Sequence, residues 1–383
     1  MKYTKIGHEL EKEKENWLKG ENHYYLWGAA GKGTIFIQRY STKLKIDGVI
    51  DIDVQKQGKK IEKITIIAPE KADLDNTKVI VCTEAYKEVA RFLSGMGLQE
   101  NVDFIDYRRF ATIYDWYKEG KVYINRTDIS VTNRCTLNCE GCNMLMPYYC
   151  KPLDRDLDAI KKDIDLLFQW VDTIEALDIL GGEPLLYPKL VSVLEYIRDN
   201  YQDKIVNVYM YTNGMCLLSK KLLEISKQMD IIYDVSDYTV NLPRLIPRLK
   251  KFLNDLDEYE IRYNHKKMDY WLDFGFDTAN HFSDNEEQKI EFFHRCYAPF
   301  RGLRDKKLFF CHIEPSAIGL GEWEEQEGDA FLLEPYCSEK KIELLEFNLG
   351  YSRRGYPSMC MRCDGCCSTK KIPVAIQRKR NGI

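Results

Sequence analysis

No stretch of the 383-residue chain approaches the roughly 18 consecutive apolar residues that span a bilayer, so no membrane-crossing helix is expected. The opening residues, MKYTKIGHELEKEKENW, lack the apolar core of a secretory signal, and the cytoplasm is the expected location. An excess of positive charge is missing too: 56 Lys and Arg stand against 60 Asp and Glu, a net charge of −4. Proteins that hold nucleic acid present a strongly basic field, so nucleic acid is not an expected partner.

What the chain has instead is core material and thiols. Hydrophobic residues make up 44% of it, with 25 Tyr and 16 Phe. At roughly 150 residues per domain, two or three domains are expected. Thirteen cysteines in a chain without an export signal do not read as a disulfide framework, because cytosolic thiols stay reduced. Cys82 in KVIVC and Cys216 in NGMCLL have apolar neighbours and read as small buried hydrophobes. The other eleven fall in two groups, within 135–150 and 296–367.

Patterning divides the chain into three. HYYLWG, LKIDGVIDID, KITIIAP, KVIVC and DFIDY alternate with helical stretches such as EAYKEVARFLSGMG, which predicts a Rossmann-like βαβ domain over 1–120. A second series begins with DISVT. Leu157, Ile160, Ile164, Leu167 and Val171 keep helical spacing over about 155–171. Strands EALDIL, VNVYMYT, IIYDVS and EIRYN then alternate with helices near 188–200, 218–228 and 244–256, predicting a partial (β/α)6 barrel over 121–290. Residues 291–383 are irregular and cysteine-rich, a third module. Its basic end, KKIPVAIQRKRNGI, reads as a solvated tail. In β/α barrels the chemistry sits on loops after the strands, so the loops after DISVT, EALDIL, VNVYMYT and IIYDVS would share one mouth.

The first of those loops is CTLNCEGC, with Cys135, Cys139 and Cys142 in eight residues. Given one cysteine, two more at fixed offsets arise by chance about once in a thousand. Thiolates at such spacing hold zinc or iron–sulfur clusters. Zinc would need a fourth ligand, and Cys150, separated from Cys142 by seven residues that include Pro147, is a poor one.

Cys135-x3-Cys139-x2-Cys142 after a first barrel strand resembles the radical SAM superfamily. The resemblance implies that the three thiolates hold a 4Fe–4S cluster whose fourth iron binds the amino and carboxylate groups of S-adenosylmethionine (SAM). It departs from the family at Gly141, where an aromatic is usual. GGEP is similar to the family's second SAM motif, with Gly181, Gly182, Glu183 and Pro184 toward the methionine end. Thr212, Asn213 and Ser236 sit where the family places ribose and carboxylate contacts. An external one-electron reductant of the flavodoxin or ferredoxin type is implied as well.

Cys296-x14-Cys311 followed by Cys360-x2-Cys363 is similar to the Twitch module, a shortened SPASM domain of the same superfamily. It implies an auxiliary 4Fe–4S cluster on those four thiols, with Cys337, Cys366 and Cys367 left for a second cluster or a replaced ligand. A four-thiolate zinc knuckle is the alternative. A fully ligated cluster suits an electron acceptor in a net oxidation. In the N-terminal domain, Gly28-Ala-Ala-Gly31-Lys-Gly33 with Asp51 and Asp53 resembles the dinucleotide fingerprint, with Ala30 at its second glycine; a purely structural turn is the alternative.

For the substrate, Asp237, Asp273 and His265 are candidate proton acceptors, Arg301 a candidate anion holder, and Trp271 and Tyr238 possible pocket walls. The expected substrate is a sugar-like small molecule or sugar nucleotide, oxidised by a dehydrogenase-like reaction. Peptide modification is the competing expectation. It is disfavoured because the N-terminal domain does not read as the winged helix that such family members usually carry. A non-enzymatic zinc protein is the third reading.

Overall fold

The computed structural model describes residues 1–3, 5–20, 22–74, 77–296 and 301–378. They fall into two compact units, Gly7–Lys121, and Val122–Ile383 with Met1–Ile6. No helix among the described residues is long and apolar enough to cross a membrane.

In Gly7–Lys121 the strands are β1 (His23–Trp27), β2 (Lys45–Ile50), β3 (Lys60–Ile61), β4 (Ile64–Ile67), β5 (Lys78–Val81) and β6 (Phe104–Asp106). They lie in the order β3-β4-β2-β1-β5-β6, and all pairs but β3–β4 are parallel. With β1 central and the order reversing beside it, this is a doubly wound sheet. Trp27, Ile50, Val79, Val81 and Phe104 form its core with Tyr86 and Leu93 of a covering helix. The glycine run serves packing. A Cβ on Gly28 (φ 119°) would stand 2.6 Å from the Cys82 carbonyl oxygen, and one on Gly33 would stand 1.9 Å from the Gly28 oxygen. Asp51 accepts a 2.8 Å bond from the Ala29 N–H, so a carboxylate of the domain itself occupies that loop amide. Both observations favour the structural reading of the fingerprint.

In the second unit, β7 (Tyr123–Ser130), β8 (Thr173–Leu180), β9 (Ile205–Thr212), β10 (Ile232–Asp237) and β11 (Tyr263–Lys267) are neighbours in chain order and parallel. The remaining strands are β12 (Tyr270–Leu272), β13 (Gly302–Arg304), β14 (Lys307–Phe309), β15 (Ala330–Leu332) and β16 (Lys371–Pro373). β13 pairs parallel to the free edge of β7, and β14 and β15 extend the sheet antiparallel. Six parallel strands thus form the partial barrel. The sixth comes from beyond residue 300, whereas β12, which follows β11, pairs among the described residues only with β16.

Helices cover the sheet as their periodicity requires. Leu157–Trp170 starts at Asp156, whose side chain accepts from the Asp158 and Ala159 amides. It buries Ile160, Ile164, Leu167 and Trp170 to 1% exposure or less. Each such side chain contributes on the order of 2 kcal/mol by leaving water. Helices Leu190–Tyr201, Lys220–Gln228 and Ile246–Glu258 follow the same plan. β11 begins three residues later than EIRYN implies. It is an edge strand with an almost wholly exposed burial pattern, so no apolar alternation marks it.

The basic C-terminal stretch is not a free tail over residues 371–378, although Lys371, Pro373 and Ile376 remain exposed. β16 pairs with β12, and Val374 and Ala375 have no exposed surface. Residues 379–383 lie outside the described residues.

Candidate active site

Parallel strands place their following loops on one edge of the sheet. After β7 the chain enters the cysteine loop, after β8 GGEP, after β9 Thr212-Asn213-Gly214, and at the end of β10 Ser236-Asp237.

Two backbone bonds fasten GGEP to the cysteine loop: the Gly182 N–H donates to Thr132 O at 2.8 Å and the Glu183 N–H to Arg134 O at 2.7 Å. The glycines are required for this approach. A Cβ at Gly181 would lie 2.5 Å from Thr132 O, and one at Gly182 2.3 Å from Arg134 O. What these glycines let in is therefore the loop that carries Cys135.

Glu183 is fully buried. Its carboxylate accepts from the Thr212 hydroxyl at 2.8 Å and the Asn213 N–H at 2.9 Å. Burial pushes its pKa up to about 7 against the pull of these donors. Asn213 in turn accepts from the Thr136 hydroxyl at 3.1 Å and points its amide nitrogen at the Cys135 sulfur, 3.8 Å away. Three strand ends are thus tied by one buried network. Pro184 opens a short 3-10 turn. Ser236 is half-buried and hydrogen-bonds the Tyr238 hydroxyl.

Cys135, Cys139 and Cys142 act on one another electrostatically. Burial raises all three thiols, Cys135 to about 12 and Cys139 to about 11. Each sulfur also receives N–H donors that favour its anionic form. They come from Leu137 for Cys135, from the Gln377 side chain at 3.2 Å for Cys139, and from Met146, Met144 and Leu145 for Cys142. Dry thiols with donors aimed at them hold their charge once a cation replaces the proton. Among the described residues, no three His, Cys, Asp or Glu side chains close on a point that one metal ion could fill. Cys150, the doubtful fourth ligand, is exposed.

The later thiols gather from three places: the end of helix Glu286–Cys296, the residues after β14 (Cys311), and the 3-10 turn Ser358–Arg362 with its cap Cys363. Cys360 is acted on by Cys296, Cys311 and Cys363, and Cys363 by Cys311 and Cys296. Gly365 fits between two of the sulfurs. Its N–H donates to Cys363 at 3.2 Å, while a Cβ there would lie 2.5 Å from the Cys296 sulfur. Cys337 donates instead to Glu339 and Cys367 to the Phe292 carbonyl, and Cys366 is exposed. This arrangement favours one auxiliary cluster on four ligands.

A cavity of about 320 Å³ opens beside Cys142. Tyr148 and Trp323 supply aromatic walls, Asp273 and Lys370 an ion pair at 2.6 Å, and Met359 and Arg362 the side next to Cys360. Of the four candidate catalytic residues only Asp273 lines it. Asp237 is buried and accepts from Thr239 and His265, which closes the turn after β10. His265 stands on the edge strand β11. Arg301 is 5% exposed, stacks on Phe310 and donates to the Phe310 and Asn348 carbonyls, which leaves it no role as an anion holder in the cavity. Trp271 packs edge-on to Tyr238 beside Cys139 and Val374, away from that cavity. Arg362 escaped the sequence reading although it sits inside the Cys360-x2-Cys363 pair, which was its signal.

The C-terminal strap was also missed. Residue 377 bridges to Cys139 as an antiparallel partner, and the Glu140 N–H donates to Ile376 O at 2.6 Å. Gly141 belongs to this contact: it has φ 68°, and a Cβ there would stand 2.4 Å from Ile372 Cδ1. The missing aromatic therefore makes way for the strap.

Residues 129–253 match the family described as the Radical SAM superfamily. An uncharacterized protein of Methanocaldococcus jannaschii is 33% identical over 111 residues, 28% of this chain and 36% of that protein. The GTP 3',8-cyclase of Limosilactobacillus fermentum is 32% identical over 111 residues, 28% of this chain and 31% of the cyclase. The 7,8-dihydro-6-hydroxymethylpterin dimethyltransferase of Methanocaldococcus jannaschii is 29% identical over 128 residues, 33% of this chain and 25% of that enzyme. The match thus spans a quarter to about a third of the length of these curated relatives. A solved structure described as native anSMEcpe with bound AdoMet and Cp18Cys peptide aligns at 10% identity and a TM-score of 0.42, over 62% of this chain and 83% of that one. Residues 129–253 are thus similar to the radical SAM domain, whose superfamily uses a 4Fe–4S cluster and SAM.

Proposed function

We propose that this protein is a radical SAM enzyme that removes a hydrogen atom from a small polar, sugar-like substrate and completes a two-electron oxidation. When bound at Cys135, Cys139 and Cys142, the cluster and SAM supply one electron and a 5′-deoxyadenosyl radical that takes the hydrogen. The chain's own part is positional. Glu183 sets the Thr212-Asn213 turn against Cys135, and the GGEP backbone fixes the cysteine loop. A substrate in the cavity touches Cys142 and also Met359 and Arg362, the sequence neighbours of Cys360 and Cys363. That placement carries the reading. Completing the oxidation of an alcohol carbon to a carbonyl releases the hydroxyl proton and one further electron, which an auxiliary cluster held by Cys296, Cys311, Cys360 and Cys363 would accept. Asp273, held ionised by Lys370, faces the same space and can orient a hydroxyl. A volume near 320 Å³ suits a ligand of about sugar size, at the low end of small-molecule sites.

The test is deuterium transfer into 5′-deoxyadenosine by anaerobically reconstituted enzyme with an external reductant of the flavodoxin or ferredoxin type. Transfer from carbon-labelled sugars or sugar nucleotides is expected. Transfer from labelled peptides alone would replace this reading with peptide modification, and stoichiometric zinc without iron would end it.

A further inference from the structure

We propose that Gln377 is a positioning residue for the cluster of the cysteine loop: its side-chain N–H holds the Cys139 sulfur and raises the cluster's reduction potential. The proposal rests on the reading that Cys135, Cys139 and Cys142 carry that cluster.

The carboxamide is oriented by its surroundings. Its oxygen accepts from the Asn138 N–H at 2.8 Å, so its nitrogen must face the other way. There it meets the Ala375 carbonyl at 2.8 Å and the Cys139 sulfur at 3.2 Å. Both of its N–H groups are therefore used, one of them on sulfur.

The strap is held from both sides of Gln377. The Arg378 N–H donates to Asn138 O at 2.8 Å, the Arg378 guanidinium to Pro147 O at 3.1 Å, and the Asn241 side chain to Val374 O at 2.8 Å. Ala375, fully buried, adopts φ 53°. A left-handed alanine costs about 1 kcal/mol or more and persists only where surrounding contacts impose it.

Two effects of the strap oppose each other. It leaves Cys139 only 6% exposed, and a dry cluster resists taking up an electron. An N–H directed at a ligating sulfur spreads the added negative charge and eases reduction. Cys142 receives backbone donors, which survive any substitution but proline, and the side-chain donor to Cys135 is more distant at 3.8 Å. Gln377 is thus the point at which one residue can shift the potential.

Two measurements on the full-length protein test this. In the reconstituted holoenzyme, the cluster whose paramagnetic signal changes on adding SAM is titrated against potential. Gln377→Met, which keeps length but loses the donor, is expected to lower the midpoint at unchanged iron content, and Gln377→Glu to lower it further. In iron-free protein, Gln377→Ala is expected to raise the rate at which iodoacetamide modifies Cys139 several-fold relative to exposed Cys150. A SAM-responsive cluster whose midpoint ignores both substitutions overturns the role of Gln377 and leaves the proposed function standing. Cys139 alkylation that does not respond to Gln377→Ala overturns the contact itself. Wild-type protein that assembles no cluster on the cysteine loop overturns the proposed function and this inference together.

Discussion

The two cysteine groups differ in number and in how the chain assembles them. Cys135, Cys139 and Cys142 lie within one eight-residue loop after β7, whereas Cys296, Cys311, Cys360 and Cys363 come from a helix end, a strand exit and a late 3-10 turn. Three local thiols leave one position of a four-iron cluster for a reactant, and four distributed thiols can close one. Openness suits chemistry and closure suits electron transfer. The cavity is lined by Cys142 of the first group and by Met359 and Arg362 of the turn that carries Cys360.

The comparison breaks most sharply at the open group. Replacing Cys135, Cys139 and Cys142 by Ala should abolish 5′-deoxyadenosine formation and remove about half of the roughly eight irons expected for two 4Fe–4S clusters. Iron analysis and product chromatography read both effects. At the closed group, Cys360→Ala with Cys363→Ala should remove the other half. SAM cleavage should persist while substrate oxidation falls by more than about tenfold; equal loss of both activities would mean that the two groups do not divide the work.

Glu183 sharpens the comparison at intermediate size. Glu183→Ala leaves the Thr212 hydroxyl and the Asn213 N–H without their acceptor in a buried network, and roughly 2–4 kcal/mol of stability should go with it in denaturant titration. Its pH behaviour has a definite sign. The folded-state pKa near 7 lies above the ordinary 4.5, so the folded form binds the proton more tightly. Stability contributed this way is complete below pH 4.5 and declines as pH rises through 7. Glu183→Gln should flatten that slope in iron-free protein.

The smallest effect is expected at Asp273. Lys370 holds its carboxyl below the usual carboxylate range, so it is ionised at any working pH and cannot serve as a proton donor. Solvent screens the pair, because Lys370 is exposed. Asp273→Asn should therefore leave the melting temperature nearly unchanged and raise KM more than it lowers kcat.

The elements legible in the sequence are those whose signal is local. Helix Leu157–Trp170 follows from Leu157, Ile160, Ile164 and Leu167, and the buried strand β8 from the apolar run EALDIL. β11 lacks an apolar face and β12 pairs with a strand a hundred residues away, so neither position could be read locally. Among site residues, Glu183 was found for its motif, but its bonding to the Thr212-Asn213 turn became visible only in the fold. Arg301 illustrates the converse: its charge made it a candidate anion holder, and burial against Phe310 gives it a structural task.

By itself the sequence determined the β/α alternation, the three-thiol loop and the order of the motifs after successive strands, because each depends on residues within one or two turns of chain. Tertiary structure decided which distant thiols meet, that the sixth parallel strand comes from beyond residue 300, and that the basic C-terminal stretch lies on the cysteine loop. Those outcomes depend on burial of Val374 and Ala375 and on pairing between segments more than a hundred residues apart, and neither leaves a periodic trace in the residues that take part.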